Sequence, residues 1–452
     1  MVLTRRKSFQ TTIMNNKISD KISDYDLESI AMATDFIIRP VKKISPESYI
    51  DGFFKTMVKG EYTVKNWARA IGICNESLVS KQAVLKRLSY RHVDFSNKFL
   101  MEVVSKECGK LGGAEQLFDN TLFSYFGKVL IEDSTCLSLP RNLTKIFRSS
   151  YSKNQNASTA KLQLRMDLQT GRFQKIDIGD FTDSDGSYAW DILSTLEQGD
   201  LVMRDLGYWN IKIFEAISKS QAYYVSLWKK HVTLFDEQDK RVELIEMLKK
   251  VEEKGRKVLD KKVKIGLKDK VKTRLVALKL PKKIANKRRK QALKERDKRI
   301  NAQSPEYQYL LGWEIFITNV PTEIWTPQQL SKAYGFRWRI EIIFKCWKSK
   351  LGIAKIFEKT EMSHPHALIA LILTLAWITL AFLDEYLYYS RQVFKKKGTF
   401  LSILQFANFY RDYLNDIKHW DKEKIIDFIA YYYTYDKRKK RTNHMKKHMT
   451  LS

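Results

Sequence analysis

Between Lys128 and Leu227 the chain carries five short apolar runs separated by turns or by single helical stretches, and this order limits the folds open to it. Lys128 to Asp133 is an apolar run that ends in two acids, Glu132 and Asp133. Leu162, Leu164, Met166 and Leu168 alternate with Lys161, Gln163, Arg165 and Asp167, the pattern of a half-buried strand. Thr170-Gly171 makes a turn, and Phe173 to Ile178 returns as the partner strand. Tyr188 to Gln198 reads as a helix. Leu201 to Asp205 is a short strand that again ends in an acid, with Gly207 close behind. A helix around Ile211 to Ser218 and a fifth strand, Ala222 to Leu227, complete the series.

Three strands in a meander, then helix, strand, helix, strand, is the order of an RNase H-like sheet. The expectation is therefore an α/β fold with an RNase H-like (retroviral integrase-like) catalytic core, residues 123–228 and 306–383. A basic insertion subdomain, 229–305, interrupts it. Lys254 to Arg299 is dense in Lys and Arg, with strand-like pieces at Val263 to Gly266 and Arg274 to Leu280. Core signals resume at Trp313 to Asn319, a strand, and Thr326-Pro327 opens a helix. Residues 1–122 read as a helical N-terminal region. Within it, Thr63 to Leu88 reads as helix, turn at Gly72, and second helix near Ser77, the layout of a DNA-reading helix-turn-helix or of ordinary helical packing. Residues 384–452 read as a helical C-terminal region, ending in the basic run Lys437 to Arg441, a tail with affinity for polyanions.

Lys and Arg outnumber Asp and Glu by 81 to 51, a formal charge of +30. That excess points to a polyanionic partner, with nucleic acid first and a membrane surface second. Ala367 to Leu383 is uncharged and mostly aliphatic. It reads as a helix buried on all sides of a core, started at Ser363-His364-Pro365, and is slightly short for a membrane span of about 20 residues. The four cysteines lack CxxC spacing, which argues against a zinc site and fits a reducing compartment. Met1 to Lys7 has no apolar stretch after its charges, so no signal peptide is expected.

Tyr334 to Lys348 carries the chemistry. Read as one helix at about 100° per residue, Tyr334, Arg337, Glu341, Lys345 and Lys348 share an arc of roughly 80°, with Ile340, Ile343, Phe344 and Trp347 on another side. The polar face is either a solvated one, with Glu341 paired to Arg337 and Lys345, or a metal-binding carboxylate among groups that grip a polyanion. On an RNase H-like sheet the strand-end acids Asp133 and Asp205 are neighbours, and a helix across that edge brings in Glu341. Three carboxylates in one place need a cation, and hard oxygen ligands select Mg²⁺ or Mn²⁺, two ions in a phosphoryl-transfer site.

Tyr334, Arg337, Glu341 and Lys348 reproduce the Y-x2-R-x3-E-x6-K signature, and with Asp133-Ser134-Thr135 and Asp205-Leu206-Gly207-Tyr208 the chain resembles the insertion sequence 4 family of DDE transposases over about residues 60–380. Ser134 stands where that family often has Gly. The resemblance implies metal ligation and catalysis by Asp133, Asp205 and Glu341. It implies phosphate contacts by Tyr334 and Arg337, and a hold on the adjacent strand by Lys348 and Lys345. Trp313, 21 residues ahead of Tyr334, is either the base-stacking Trp of related hairpin-forming enzymes or a plain core Trp, while Trp338 and Trp347 are assigned to packing. The activity implied is cut-and-paste DNA transposition: nicking, hairpin closure and opening, then strand transfer. Partners would be the terminal repeats and target, as double-stranded DNA held by a homodimer paired through the C-terminal region. The place of work would be the bacterial cytoplasm, at the nucleoid, with no membrane. A catalytically inactive DNA-binding regulator and a membrane-associated basic protein are the alternatives; the first needs no acids and the second needs the 367–383 span.

Overall fold

The computed structural model describes residues 19–37, 43–109, 121–148, 158–294, 304–358, 362–417 and 419–434, so the N-terminal seven residues and the basic run 437–441 lie outside the described residues. Ten strands form one sheet: β1 (Val129–Leu139), β2 (Ser158–Asp167), β3 (Phe173–Asp180), β4 (Leu201–Arg204), β5 (Tyr223–Leu227), β6 (Leu234–Phe235), β7 (Arg241–Val242), β8 (Val258–Ile265), β9 (Val271–Lys279) and β10 (Trp313–Thr318). Their spatial order is β3-β2-β1-β4-β5-β10-β9-β8-β6-β7. β1 to β3 form the expected antiparallel meander, and β4 and β5 add to it in parallel with β1. The remaining strands pair antiparallel, with β10 between β5 and β9. The insertion is thus no separate body. Its strands continue the sheet of the core, because β9 supplies the edge that β10 needs on its other side.

The described helices of more than four residues are α1 (Leu27–Ala33), α2 (Pro46–Lys59), α3 (Val64–Cys74), α4 (Lys81–Leu85), α5 (Tyr90–Gly109), α6 (Ile211–Lys219), α7 (Leu244–Glu253), α8 (Lys282–Lys294), α9 (Pro305–Leu310), α10 (Pro327–Gly335), α11 (Trp338–Ser349), α12 (His364–Lys397), α13 (Ile403–Asp412) and α14 (Lys422–Tyr432). Alternation on the strands sends apolar side chains to two cores, one on each sheet face. Val129, Ile131, Met203, Val225 and Phe316 join α2, α3, α5 and α10 to α14 on one face. Leu130, Val202, Tyr224 and Ile315 join α6 and α7 on the other.

α12 is the axis of the larger core. It runs unbroken through a wider turn at Ile378–Leu383, and 94% of its most apolar window is buried inside the protein. The boundary expected at 383/384 therefore falls inside one helix. Tyr62 ties the N-terminal helices to this axis, its hydroxyl 2.7 Å from His366 Nε2.

Three local expectations change. α3 runs through Gly72 to Cys74, and the turn follows at Asn75 to Ser80. Gly72 is needed there because a Cβ would lie 2.6 Å from the Ser77 carbonyl oxygen. The second helix, α4, has only five residues. The stretch 188–198 forms a short turn and a 3₁₀ segment (Asp191–Ser194) instead of a helix. β2 is buried on both faces, its polar residues included: Lys161, Gln163, Arg165 and Asp167 are all less than a tenth exposed. Each finds a partner, as buried polar groups must. Arg165 meets Glu132 at 3.0 Å and Asp191 at 2.9 Å, and Asp167 accepts from the Val129 and Thr170 amides.

Candidate active site

β1 and β4 run parallel and in register through Glu132 and Arg204; there β4 ends while β1 continues to Leu139. Asp133 and Asp205 are the next residues on each chain, so the two acids emerge together where the strands part. Consecutive strand residues face opposite ways, which separates Glu132 from Asp133. Asp133 shares the face of Val129 and Ile131, toward α11, while Glu132 turns to the other face and pairs with Arg165 and with Arg204 at 2.7 Å.

The signature stretch is two helices, not one. Thr326 and Gln329 cap α10 with a reciprocal capping box. After Gly335 the backbone tightens: Phe336 and Arg337 donate to Ala333 and Tyr334 carbonyls at 3.0 and 3.1 Å before α11 starts. The buried Phe336 ring packs edge-on against Phe123 at 5.4 Å and fixes the bend. Tyr334 thus leaves the arc shared by the other four residues. Its buried hydroxyl donates to the Arg204 carbonyl at 3.1 Å, holding the end of β4 beside Asp205. Burial and the nearby acids push its phenol above the ordinary range, although Arg337 works against them. In this conformation Tyr334 positions a strand end and is not offered to a phosphate.

Arg337 gathers the three acids. Its guanidinium lies 3.2 Å from Asp133, 2.9 Å from Glu341 and 3.9 Å from Asp205. Arg337 is 7% exposed, and burial alone would lower its pKa; Tyr334 and the three carboxylates outweigh that and raise it. Asp133 also accepts from the Ser134 amide at 2.8 Å. Even so, burial pushes its carboxyl up to about 6, with Asp205 and Glu341 adding to the rise. One guanidinium does not neutralise three carboxylates. Among the described residues no three acid, His or Cys side chains already stand at metal-ligating spacing, so this geometry is the one closed by Arg337.

A cleft of about 460 Å³ opens beside Asp133 and Glu341, lined also by Ser134, Thr135, Lys345 and Lys348. Both lysines are exposed on its rim, and desolvation lowers the Lys348 ammonium's pKa. Trp313 does not reach this cleft. It starts β10 with its indole 3% exposed in the core on the opposite sheet face, so the core reading is the one this conformation shows. Trp338 is not a packing residue: it is 62% exposed at the start of α11, unlike Trp347, which is buried.

The sequence reading missed the support behind the acids. Asp185 accepts from Lys161 at 2.8 Å and from Gln163 at 2.9 Å, and Gln163 in turn accepts from the Tyr208 hydroxyl. Asp185 presses on the turn after Asp205, where a Cβ on Gly207 would stand 2.7 Å from its Oδ2. The only signal was the polar half of the β2 alternation, which also describes a solvent-facing strand.

A sequence model of the transposase DDE domain matches residues 124–377, from just before β1 to the middle of α12. The chain is 30% identical over 295 residues to the transposase for insertion sequence element IS231B of Bacillus thuringiensis subsp. berliner, covering 61% of this chain and 60% of that protein. It is 31% identical over 294 residues to the IS231D transposase of Bacillus thuringiensis subsp. finitimus, with 61% and 60% covered. It is 27% identical over 300 residues to the IS1151 transposase of Clostridium perfringens, with 62% of each covered. The match therefore spans about three fifths of the length of these relatives. A piggyBac transposase in a synaptic complex with hairpin DNA is similar at a TM-score of 0.36 and 12% identity, over 97% of this chain and 87% of that one, a likeness too distant to carry an argument.

Proposed function

Because this chain belongs to the family of transposases with a DDE domain, we propose that it catalyses cut-and-paste DNA transposition of an insertion sequence. The observation that carries this reading is the meeting of Asp133, Asp205 and Glu341, from three separated elements, on one guanidinium where the parallel strands β1 and β4 part. Ligands gather at the carboxyl ends of parallel strands, outside the sheet. The order and directions of β1 to β5 support an RNase H-like core, and β6 to β10 extend it.

The donor set fits Mg²⁺ or Mn²⁺: it is all oxygen, it is one cation short of neutral, and Asp133 shows the shortage in its raised pKa. Asp133, Asp205 and Glu341 would hold the metal, which when bound supplies an activated attacking oxygen and charge stabilisation at the leaving one. The chain's own cations do the rest. Lys345 and Lys348 bind backbone phosphates on the cleft rim and keep the scissile strand in line. Arg337 neutralises the carboxylates before substrate arrives and offers its guanidinium to a phosphate once they are otherwise balanced. Tyr334 keeps the end of β4 in place. Nicking, hairpin closure, hairpin opening and strand transfer are all in-line displacements at phosphorus, so one site serves each step. The substrate is double-stranded DNA, terminal repeats and target alike, and the chain works at the nucleoid in the cytoplasm of a bacterium. Two ends must be held together, which calls for a dimer; the exposed Tyr431 and Tyr432 on α14 support the C-terminal region as its contact.

The test is strand cleavage of a labelled duplex carrying the element's terminal repeats, with Mg²⁺ or Mn²⁺, for wild type and Glu341→Ala. Metal-dependent nicking followed by a hairpin product, absent in the variant, is the expected result. Duplex binding with no cleavage by either protein overturns the enzyme and leaves a DNA-binding regulator.

A further inference from the structure

The cations of α8 are sorted by face. At about 100° per residue, Lys283, Lys287, Lys290 and Lys294 fall within an arc of roughly 60°. All four are exposed. Ala285 and Ala292 are buried on the opposite side. Beside them, Arg288 and Arg289 act as anchors. Arg288 donates to the Trp313 carbonyl at 3.4 Å and lies 3.7 Å from Glu314, and Arg289 donates to the Gln308 carbonyl at 3.0 Å. The helix has no acid of its own, and among the described residues no acid pairs with any of the four lysines. Like charges at i and i+4 repel, as Lys283 and Lys287 do, and Lys290 and Lys294. An isolated helix would avoid this stripe; one that meets a polyanion is completed by it.

The anchors fix where the stripe lies. Glu314, which Arg288 holds, also accepts from Ser331 on α10 at 2.5 Å, and α10 carries Tyr334. β10 begins where β5 ends, with the Trp228 amide donating to Ile315 at 2.9 Å. The carboxyl end of β5 is on the same sheet edge as those of β1 and β4, where Asp133 and Asp205 emerge. Three strand spacings separate β1 from β10, about 14 Å. From Lys283 to Lys294 the stripe runs about 16 Å, long enough to meet several phosphates of a duplex.

We propose that the lysine face of α8 is a track for the phosphate backbone of duplex DNA that crosses the same sheet edge as the three acids. This rests on the transposase reading and deepens it by naming a surface outside the cleft. Lysines act as mobile point charges and read no base, so the track holds DNA without regard to sequence.

The test measures affinity of the full chain for a random-sequence duplex and for one carrying the terminal repeat, over a range of NaCl. The variant is Lys283→Gln/Lys287→Gln/Lys290→Gln/Lys294→Gln. A control removes the same charge elsewhere, at the exposed Lys249, Lys250, Lys254 and Lys257. The dependence of log affinity on log salt should flatten by about 3 to 4 in the stripe variant, at roughly 0.9 per lost phosphate contact, and equally for both duplexes. The control should keep the wild-type slope, and arginines at the four positions should restore it. An unchanged slope in the stripe variant, beside a wild type that binds, overturns the track alone. Equal flattening in the control overturns it in favour of net charge. A loss confined to phosphatidylserine vesicles overturns it in favour of a membrane surface. A wild type that binds neither duplex overturns the track and the transposase reading together.

Discussion

Replacing Arg337 with Gln tests whether this one guanidinium is the counter-charge of the site. The pair with Asp133 is the sheltered one, with side chains 8% and 18% exposed. Glu341 and Asp205 are 33% and 47% exposed, so solvent screens their share. Breaking one buried pair costs about 3–5 kcal/mol. The lower end applies here, because Asp133, already pushed up to about 6, takes a proton when its partner goes. An unfolding entropy of about 2.1 cal/mol/K per residue makes 3 kcal/mol worth about 3 °C in Tm for a chain of this length. Arg337→Gln should therefore melt about 3 °C below wild type in EDTA, read by scanning fluorimetry at pH 7.5. Millimolar Mn²⁺ should narrow the gap, since a cation at a hundred times its Kd adds about 2.7 kcal/mol and in the variant has no guanidinium to displace. Acidification should narrow it too. A carboxyl with a folded pKa above its unfolded value loses stability as pH rises from about 4 to 6, so protonating Asp133 removes part of what Arg337 offsets. A variant that melts with wild type in EDTA, or a gap that Mn²⁺ leaves unchanged, refutes the reasoning.

Three other outcomes follow from the same geometry. Glu132→Ala leaves Arg165 and Arg204 buried without their shared carboxylate; unfolding in urea should show a loss of about 4 kcal/mol with the m-value unchanged. Gly207→Ala drives a methyl toward Asp185 and should cut strand cleavage about tenfold or more at unchanged fold, as overpacking costs about 1–3 kcal/mol; adding Asp185→Gly should recover much of it. His366 and His92 are held neutral, both lowered to about 4, by burial first and for His92 also by Arg87 and Arg91. Their folded pKa values lie below the unfolded 6.5, so their contribution is intact above that pH and lost as pH falls toward 4. Each should cost about 2 kcal/mol by pH 5, and His366→Gln should remove its share of that slope in denaturation curves at pH 7 and 5.

What the sequence alone determined is what one residue and its near neighbours decide. Strand runs, the apolar α12, and the spacing of Arg337, Glu341, Lys345 and Lys348 were legible because period and side-chain chemistry are local properties. The same signature and the acid at the end of each run named the three carboxylates and the family. Tertiary structure decided everything that depends on what lies opposite. The alternation of β2 gave the same letters for a wet face and for a buried polar one; only Glu132, Asp191 and Asp185 across from it made it dry. Phe336 found Phe123, and one expected helix became two, which turned Tyr334 onto the Arg204 carbonyl. The basic insertion read as a module apart until its strands met the open side of β10. Trp313 had two readings that no spacing separates, and the face of the sheet on which β10 placed it chose the core. Pairing across long sequence distances sets these contacts, and no local pattern encodes the partner.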